Sequence, residues 1–392
     1  MRTHPVDATS VLSLLPTHPR VLALGEPTHG EDLLLDVRNH LFRHLIDEAG
    51  YRTVAVESDC LLALTVDDYV TGGPGTLDDA MTNGFSHNFG TSAANRDLVR
   101  WMRESNQHRD PADRLRFAGI DGPLEISGPE SPRTALTTLH TYLTAHLNPD
   151  LLPCTADTLD ALLGADEPWT NPATMYDPAT SIGRTPQARE LRLIADDLAA
   201  LVDADTPHLI AATSRDAWDR ARLHARTATG LLRYHAWMAD PSPSRLDHLV
   251  RIRDTMMAEN LLALAERGPT LVYAHNSHLQ RDASSMRMGD HHLRWCSAGA
   301  LTAARLGTGY AFLATALGTI RHHGVGTPPA DTVEGHLYTL DRQDPFLVDP
   351  HTLAATFTGT PRVSEWFGYA GLDPAHLPNT DGIVYIRDCP QP

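Results

Sequence analysis

Lysine is missing from this chain of 392 residues, and all 32 of its basic side chains are arginine. Base composition explains such a gap without appeal to function. Its chemical consequence is that no lysine amine is available as a Schiff-base nucleophile or general base. Cysteine is scarce as well. Cys60, Cys154, Cys296 and Cys389 stand far apart with no C-x-x-C pair. That excludes the usual zinc-finger spacing, gives no disulfide framework and fits a reducing compartment. Apolar runs are short, and none approaches the ~20 residues of a membrane span. Residues 1–7 hold no basic segment leading into an apolar one, so no secretory leader is read there. Positive charge is in deficit, with a formal net charge of −17, which argues against phosphate backbones and anionic lipid surfaces. These absences predict a cytoplasmic protein whose partner is a small molecule, with no nucleic acid and no membrane as ligand. They fix no oligomeric state.

Several catalytic signatures are also missing. There is no G-x-S-x-G elbow, no P-loop, no G-x-G-x-x-G after a strand and no H-E-x-x-H. The glycines at 72–75 lack the strand–helix context that cradles a phosphate.

What is present is ordinary globular composition, 42% hydrophobic and 21% charged, enough for one large domain or two medium ones with a core that needs no staples. Residues 20–24 form an apolar run. A helical stripe follows over 31–48, with Leu34, Val37, Leu41 and Leu45 in phase and Gly50 placed for a left-handed cap. A second apolar run covers 53–57, which makes a β-α-β unit with a parallel pair. A helix over 95–105 leads to a third strand at 115–121. From 122 to 243 the texture changes to Leu/Ala-rich helical segments joined by Pro-rich loops. The α/β pattern returns with a helix over 251–266 and a strand at 270–274, and further strands are expected at 310–317 and 382–386. Residues 279–294 have no clear period and read as a loop. The expected fold is α/β, a mostly parallel central sheet flanked by helices, with a helical insertion or subdomain. The catalytic core is expected in 1–121 and 244–392, the insertion in 122–243.

The strands end in reactive groups. Val21-Leu22-Ala23-Leu24-Gly25-Glu26-Pro27-Thr28-His29-Gly30 passes from an apolar run into a carboxylate and an imidazole. The second run ends in Glu57, the third in Asp121, and a later one in His275-Asn276-Ser277-His278. In a parallel sheet these ends share one edge, where ligands collect. Carboxylates crowded there repel one another unless paired, protonated or bound to a cation. Two chemistries fit: general acid–base activation of water, or a metal that makes the nucleophile. Each residue also has a structural explanation. Glu26 suits a helix N-terminus, Glu57 can pair with Arg38 on the preceding helix, and Asp121 suits a turn. The doublets His291-His292 and His322-His323 carry little weight among 22 histidines.

Taken together the motifs resemble the erythromycin esterase family. The matching segments are Leu24-Gly25-Glu26-Pro27-Thr28-His29-Gly30 with Arg38, Val54-Ala55-Val56-Glu57, Phe117-Ala118-Gly119-Ile120-Asp121, Arg253-Asp254-Thr255-Met256-Met257-Ala258-Glu259-Asn260 and Ala274-His275-Asn276-Ser277-His278. The resemblance implies a hydrolase of a bulky ester or macrolactone, of the kind that confers macrolide antibiotic resistance, working without a covalent serine; the leading reading adds a cytoplasmic location and no cofactor or metal. It implies His29 as general base, Glu26 as its orienting carboxylate, and Arg38 and Glu57 as groups setting the charge of the site. His275 and His278 would stabilise an oxyanion or protonate the leaving alkoxide, and Asp121 and Asn276 would contact substrate. The alternatives are a metal-dependent hydrolase of an ester or amide with Glu26, His29, Glu57 or the His275/His278 pair as ligands, a binding protein that lost the chemistry, and a secondary-metabolism tailoring enzyme performing acyl transfer or dehydration.

Overall fold

The computed structural model describes residues 1–125 and 128–390. Eight strands form one sheet in the order Thr3–His4, Phe346–Val348, Gly382–Cys389, Tyr310–Ile320, Val21–Glu26, Thr270–His275, Thr53–Asp59, Arg116–Asp121. Tyr310–Ile320 runs parallel to Gly382–Cys389 and to Val21–Glu26. Thr270–His275 runs parallel to Val21–Glu26 and to Thr53–Asp59. The antiparallel pairings lie at the edge that carries Thr3–His4 and Phe346–Val348. Val21–Glu26 and Tyr310–Ile320 are buried at every position, which is why they read as unbroken apolar runs and not as alternation. The fold is α/β with a mostly parallel sheet, as the sequence led one to expect.

The helix Asp32–Ala49 buries Leu34, Leu35, Val37, Leu41, Phe42, Leu45 and Ile46. It stops at Gly50, whose φ of +70° is left-handed and whose N–H bonds the Leu45 carbonyl, a conformation that costs glycine little.

The chain divides into two compact units. One comprises Met1–Ser58, Leu62–Ile120 and Leu261–Pro392, the other Asp59–Leu61 and Asp121–Asn260. The first has a core of sheet and helix residues such as Leu22, Leu24, Leu41, Val54, Leu98 and Leu313. The second is built from the helices Arg133–His146, Ala156–Leu163, Pro186–Ala204 and Arg215–Met238 around Leu136, Leu139, Leu191, Leu198 and Trp218. The helix Arg245–Arg267 carries the chain across the division at Asn260.

The expected loop over 279–294 is not what forms. Ala283–Met288 and His291–Cys296 pair as an antiparallel hairpin in which Met288 faces His291 across Gly289 and Asp290. Gly289 takes a φ of +59°, as a tight two-residue turn requires. Only Ser284, Leu293 and Trp295 are buried, so the apolar alternation is too sparse to read. The Gly-Asp dipeptide was the available signal.

Two buried histidines in the second unit make its stability pH-dependent. Burial is the main cause that pulls His224 and His235 down to about 4. Both rings are therefore neutral in the fold, whereas the unfolded chain takes up protons near the ordinary value of about 6.5. Stability is complete above that value and is lost as pH falls from it toward 4, at up to about 1.4 kcal/mol per pH unit for each group. Urea midpoints should fall between pH 7 and pH 5, and replacing His224 by Gln should flatten that fall. A midpoint indifferent to pH over this range, in parent and variant alike, contradicts the assignment.

Candidate functional site

Glu26 is the last residue of its strand and pairs in register with His275 on the adjacent strand. Parallel strands thus put both residues at one sheet edge. Gly25, just before it, allows a close approach, because a Cβ there would stand 2.1 Å from Asn276 Oδ1. The turn that follows brings His29 back over the strand end. His29 Nδ1 lies 2.7 Å from Glu26 Oε1, and the Tyr273 hydroxyl donates to the other carboxylate oxygen, Oε2, at 2.5 Å. Burial, and then Glu26 itself, raises the Tyr273 phenol well above its usual range, so it stays a donor. His29 thus meets Glu26 through Nδ1, and its other ring nitrogen, Nε2, faces Glu57.

Glu57 completes the cluster. Its Oε2 accepts the His275 backbone N–H at 2.8 Å and lies 3.9 Å from His29 Nε2. Its Oε1 lies 3.4 Å from His278 Nε2. Glu26 and Glu57 are buried, whereas the His29 side chain is 40% exposed. A cavity of about 520 Å³ is lined by Glu26, His29, Glu31, Arg38, Glu57, Phe89 and Tyr273, a size that suits a small organic ligand.

The expected Glu57–Arg38 pair does not form. Arg38 donates Nε and Nη2 to Asn39 Oδ1 at 3.1 and 2.7 Å, and Nη2 to Asn95 Oδ1 at 2.9 Å. Its guanidinium lies over the Tyr273 ring, 5.1 Å from the centroid. Burial lowers its pKa, and Tyr273 and then Glu26 oppose that lowering. Arg38 is therefore the cation that offsets Glu26. Its place is dictated by helix period, since 38 falls on the stripe of Leu34, Leu41 and Leu45, where a buried charge needs such partners.

His275 is fixed by two sets of bonds. Nδ1 accepts from the Ser277 hydroxyl at 2.7 Å and from the Ser277 N–H at 3.2 Å, and Nε2 donates to the Pro27 carbonyl at 3.2 Å. Its ring stands edge-on to His29 with centroids 5.5 Å apart. Burial, then the neighbouring His29, pull it down to about 3. In the fold it is a neutral N–H donor to the Pro27 carbonyl.

Two residues expected to contact substrate are otherwise engaged. Asn276 donates Nδ2 to the Thr315 carbonyl at 2.9 Å and accepts the Thr315 N–H at 3.3 Å, so its amide stands in for a missing strand. Asp121 belongs to the other unit. Fully buried, it accepts Arg253 Nε at 3.1 Å and Nη2 at 2.7 Å. Tyr273, Asn95 and Ser277 were missed in the sequence. Tyr273 had one usable sign, a hydroxyl two residues before His275 and so on the same strand face.

Among the described residues, three potential metal-ligand atoms come within 4.8 Å of one another at Glu31, His322 and His323 and at no other such group. The ligand set expected for a metallohydrolase, drawn from Glu26, His29, Glu57, His275 and His278, does not converge in this way. Among the described residues, no helix is long and apolar enough to cross a membrane.

A family model described as erythromycin esterase matches residues 46–387. That span takes in Glu57, His275 and His278 and leaves Glu26, His29 and Arg38 ahead of it. Three solved structures share the fold. A Bacillus cereus protein is 19% identical with a TM-score of 0.70, over 94% of this chain and 88% of that one. A succinoglycan biosynthesis protein is 15% identical with a TM-score of 0.65, over 97% and 90%. A mutant of the erythromycin esterase EreC in its open conformation is 17% identical with a TM-score of 0.68, over 96% and 93%. At these identities the likeness speaks for the fold alone.

Proposed function

The chain belongs to the erythromycin esterase family, and on that basis we propose that it hydrolyses a bulky ester or macrolactone with His29 as general base. One observation carries the reading: His29 Nδ1 meets Glu26, itself held by Tyr273 and balanced by Arg38, while Nε2 faces Glu57, an arrangement that with the proton on Nδ1 leaves Nε2 as the base. A neutral imidazole suits proton abstraction near pH 7. Nε2 takes a proton from water as the water oxygen bonds to the ester carbonyl carbon. Glu26 and Glu57 on either side stabilise the imidazolium that results. Collapse of the tetrahedral intermediate breaks the bond to the alkoxide, which takes the proton back from Nε2 and leaves as alcohol. His278 holds Glu57 in place through Oε1.

The developing oxyanion needs a donor, and His275 supplies one. Ser277 occupies Nδ1, so Nε2 carries the hydrogen, and its bond to Pro27 is long enough at 3.2 Å to be redirected. A neutral imidazole gives this hydrogen bond without giving up its proton. Replacing His275 by Gln should lower kcat by about 10²–10³-fold, the usual loss for one oxyanion donor, with KM nearly constant. Steady-state kinetics on any ester that the parent turns over decides this, and unchanged kcat removes His275 from the mechanism.

The reaction class is tested with a panel of macrolactones and simple esters in H₂¹⁸O, read by mass spectrometry. Hydrolysis places one ¹⁸O in each acid product. Product formed without label, with the acyl group on another acceptor, replaces hydrolysis by acyl transfer.

A further inference from the structure

The doublet His322-His323 has a counterpart that the sequence hid. His322 Nε2 lies 3.0 Å and His323 Nε2 3.6 Å from the same oxygen, Glu31 Oε1. A single ion pair needs one imidazole, and here two converge. Ligands about 2.0–2.1 Å from a tetrahedral Zn²⁺ stand about 3.3 Å from one another; both distances to Glu31 Oε1 match that spacing, and all three atoms lie within 4.8 Å of one another. Glu31 is the N-cap of the helix Asp32–Ala49, yet its side chain makes no bond to the helix N–H groups. Glutamate is not among the preferred N-cap residues, and this side chain is turned to the histidines. Its carboxylate is buried, whereas His323 is 41% exposed, and the His323 ring is held by a parallel stack on Trp366 at 4.0 Å.

We propose that Glu31, His322 and His323 form a site for a divalent transition metal, with Zn²⁺ the best match to two imidazoles and one carboxylate. Three protein ligands leave a tetrahedral ion one open position for an oxygen ligand. Glu31 also lines the cavity that holds Glu26 and His29, so the ion would sit on the wall of that cavity. The proposal does not depend on the hydrolase reading.

Chelator-stripped protein is titrated with Zn²⁺ in competition with a chromophoric chelator. Co²⁺ absorption then reports geometry. The parent should take up one tight equivalent of Zn²⁺, and Co²⁺ should give tetrahedral d–d bands. His323→Ala, at an exposed position that leaves the fold intact, should weaken Zn²⁺ by at least about 10-fold, which is the low end of what mutating even the outer partners of a metal ligand costs, and should abolish those bands. His44→Ala is the control, because exposed His40 and half-buried His44 also lie together, with centroids 4.5 Å apart, and it should leave binding unchanged. No tight equivalent, equal binding by parent and His323→Ala, or loss in His44→Ala instead would each overturn the site.

Discussion

His29→Ala is expected to lower kcat by about 10²–10⁴-fold, the range that general base catalysis contributes, which corresponds to roughly 3–5 kcal/mol of barrier. Stability should barely move. The side chain is 40% exposed and sits on a turn, and substitutions at such places usually stay within about 0.5 kcal/mol. Kinetics and a thermal melt on the same preparation separate the two effects. Added imidazole should restore part of the rate, because the variant leaves a gap beside Glu26 that a free base can enter, and a merely structural role for His29 would give no such rescue. An alanine variant as fast as the parent would end the proposed mechanism.

Asp121→Ala should have its large effect on stability and not on substrate affinity. The carboxylate is fully buried and meets Arg253 through two nitrogens at 2.7–3.1 Å. Removing the carboxylate takes away the fully buried acid that Arg253 meets through two nitrogens, at a cost of up to about 3–5 kcal/mol, the range for breaking a buried pair. Urea unfolding followed by fluorescence of Trp169 and Trp218, both buried in the same unit, should show the transition move to lower denaturant. The double variant Asp121→Leu with Arg253→Met should recover much of the loss, since a well-packed apolar pair is often as stable as a buried ion pair. KM of the folded fraction should match the parent. A raised KM with an unmoved transition would return Asp121 to the role in substrate contact that the sequence suggested.

These predictions mark where reading the chain succeeded and where it did not. Val21-Leu22-Ala23-Leu24 and Leu271-Val272-Tyr273-Ala274 announced buried parallel strands because both faces of such strands must be apolar. The hairpin Ala283–Met288/His291–Cys296 gave no such signal, since only Ser284, Leu293 and Trp295 of it are buried. Glu26 and His29 were legible as a polar pair three residues apart at a strand end. The partner of Arg38 was not. Charge complementarity pointed to Glu57, whereas packing placed the guanidinium among Asn39, Asn95 and Tyr273.

The sequence by itself determined the α/β class, the strand ends and the chemical type of each group there, because these follow from periodicity and from the order of residues along the chain. Only the tertiary structure decided that His29 meets Glu26 through Nδ1, that His275 is tied to Ser277 and Pro27, that Asn276 and Asp121 are held by backbone and by Arg253, and that Glu31 meets a histidine doublet nearly 300 positions away. The physical reason is that tautomer, protonation and ligand geometry depend on contacts within about 3 Å, and such contacts join residues from strands and turns that have no fixed spacing in the chain.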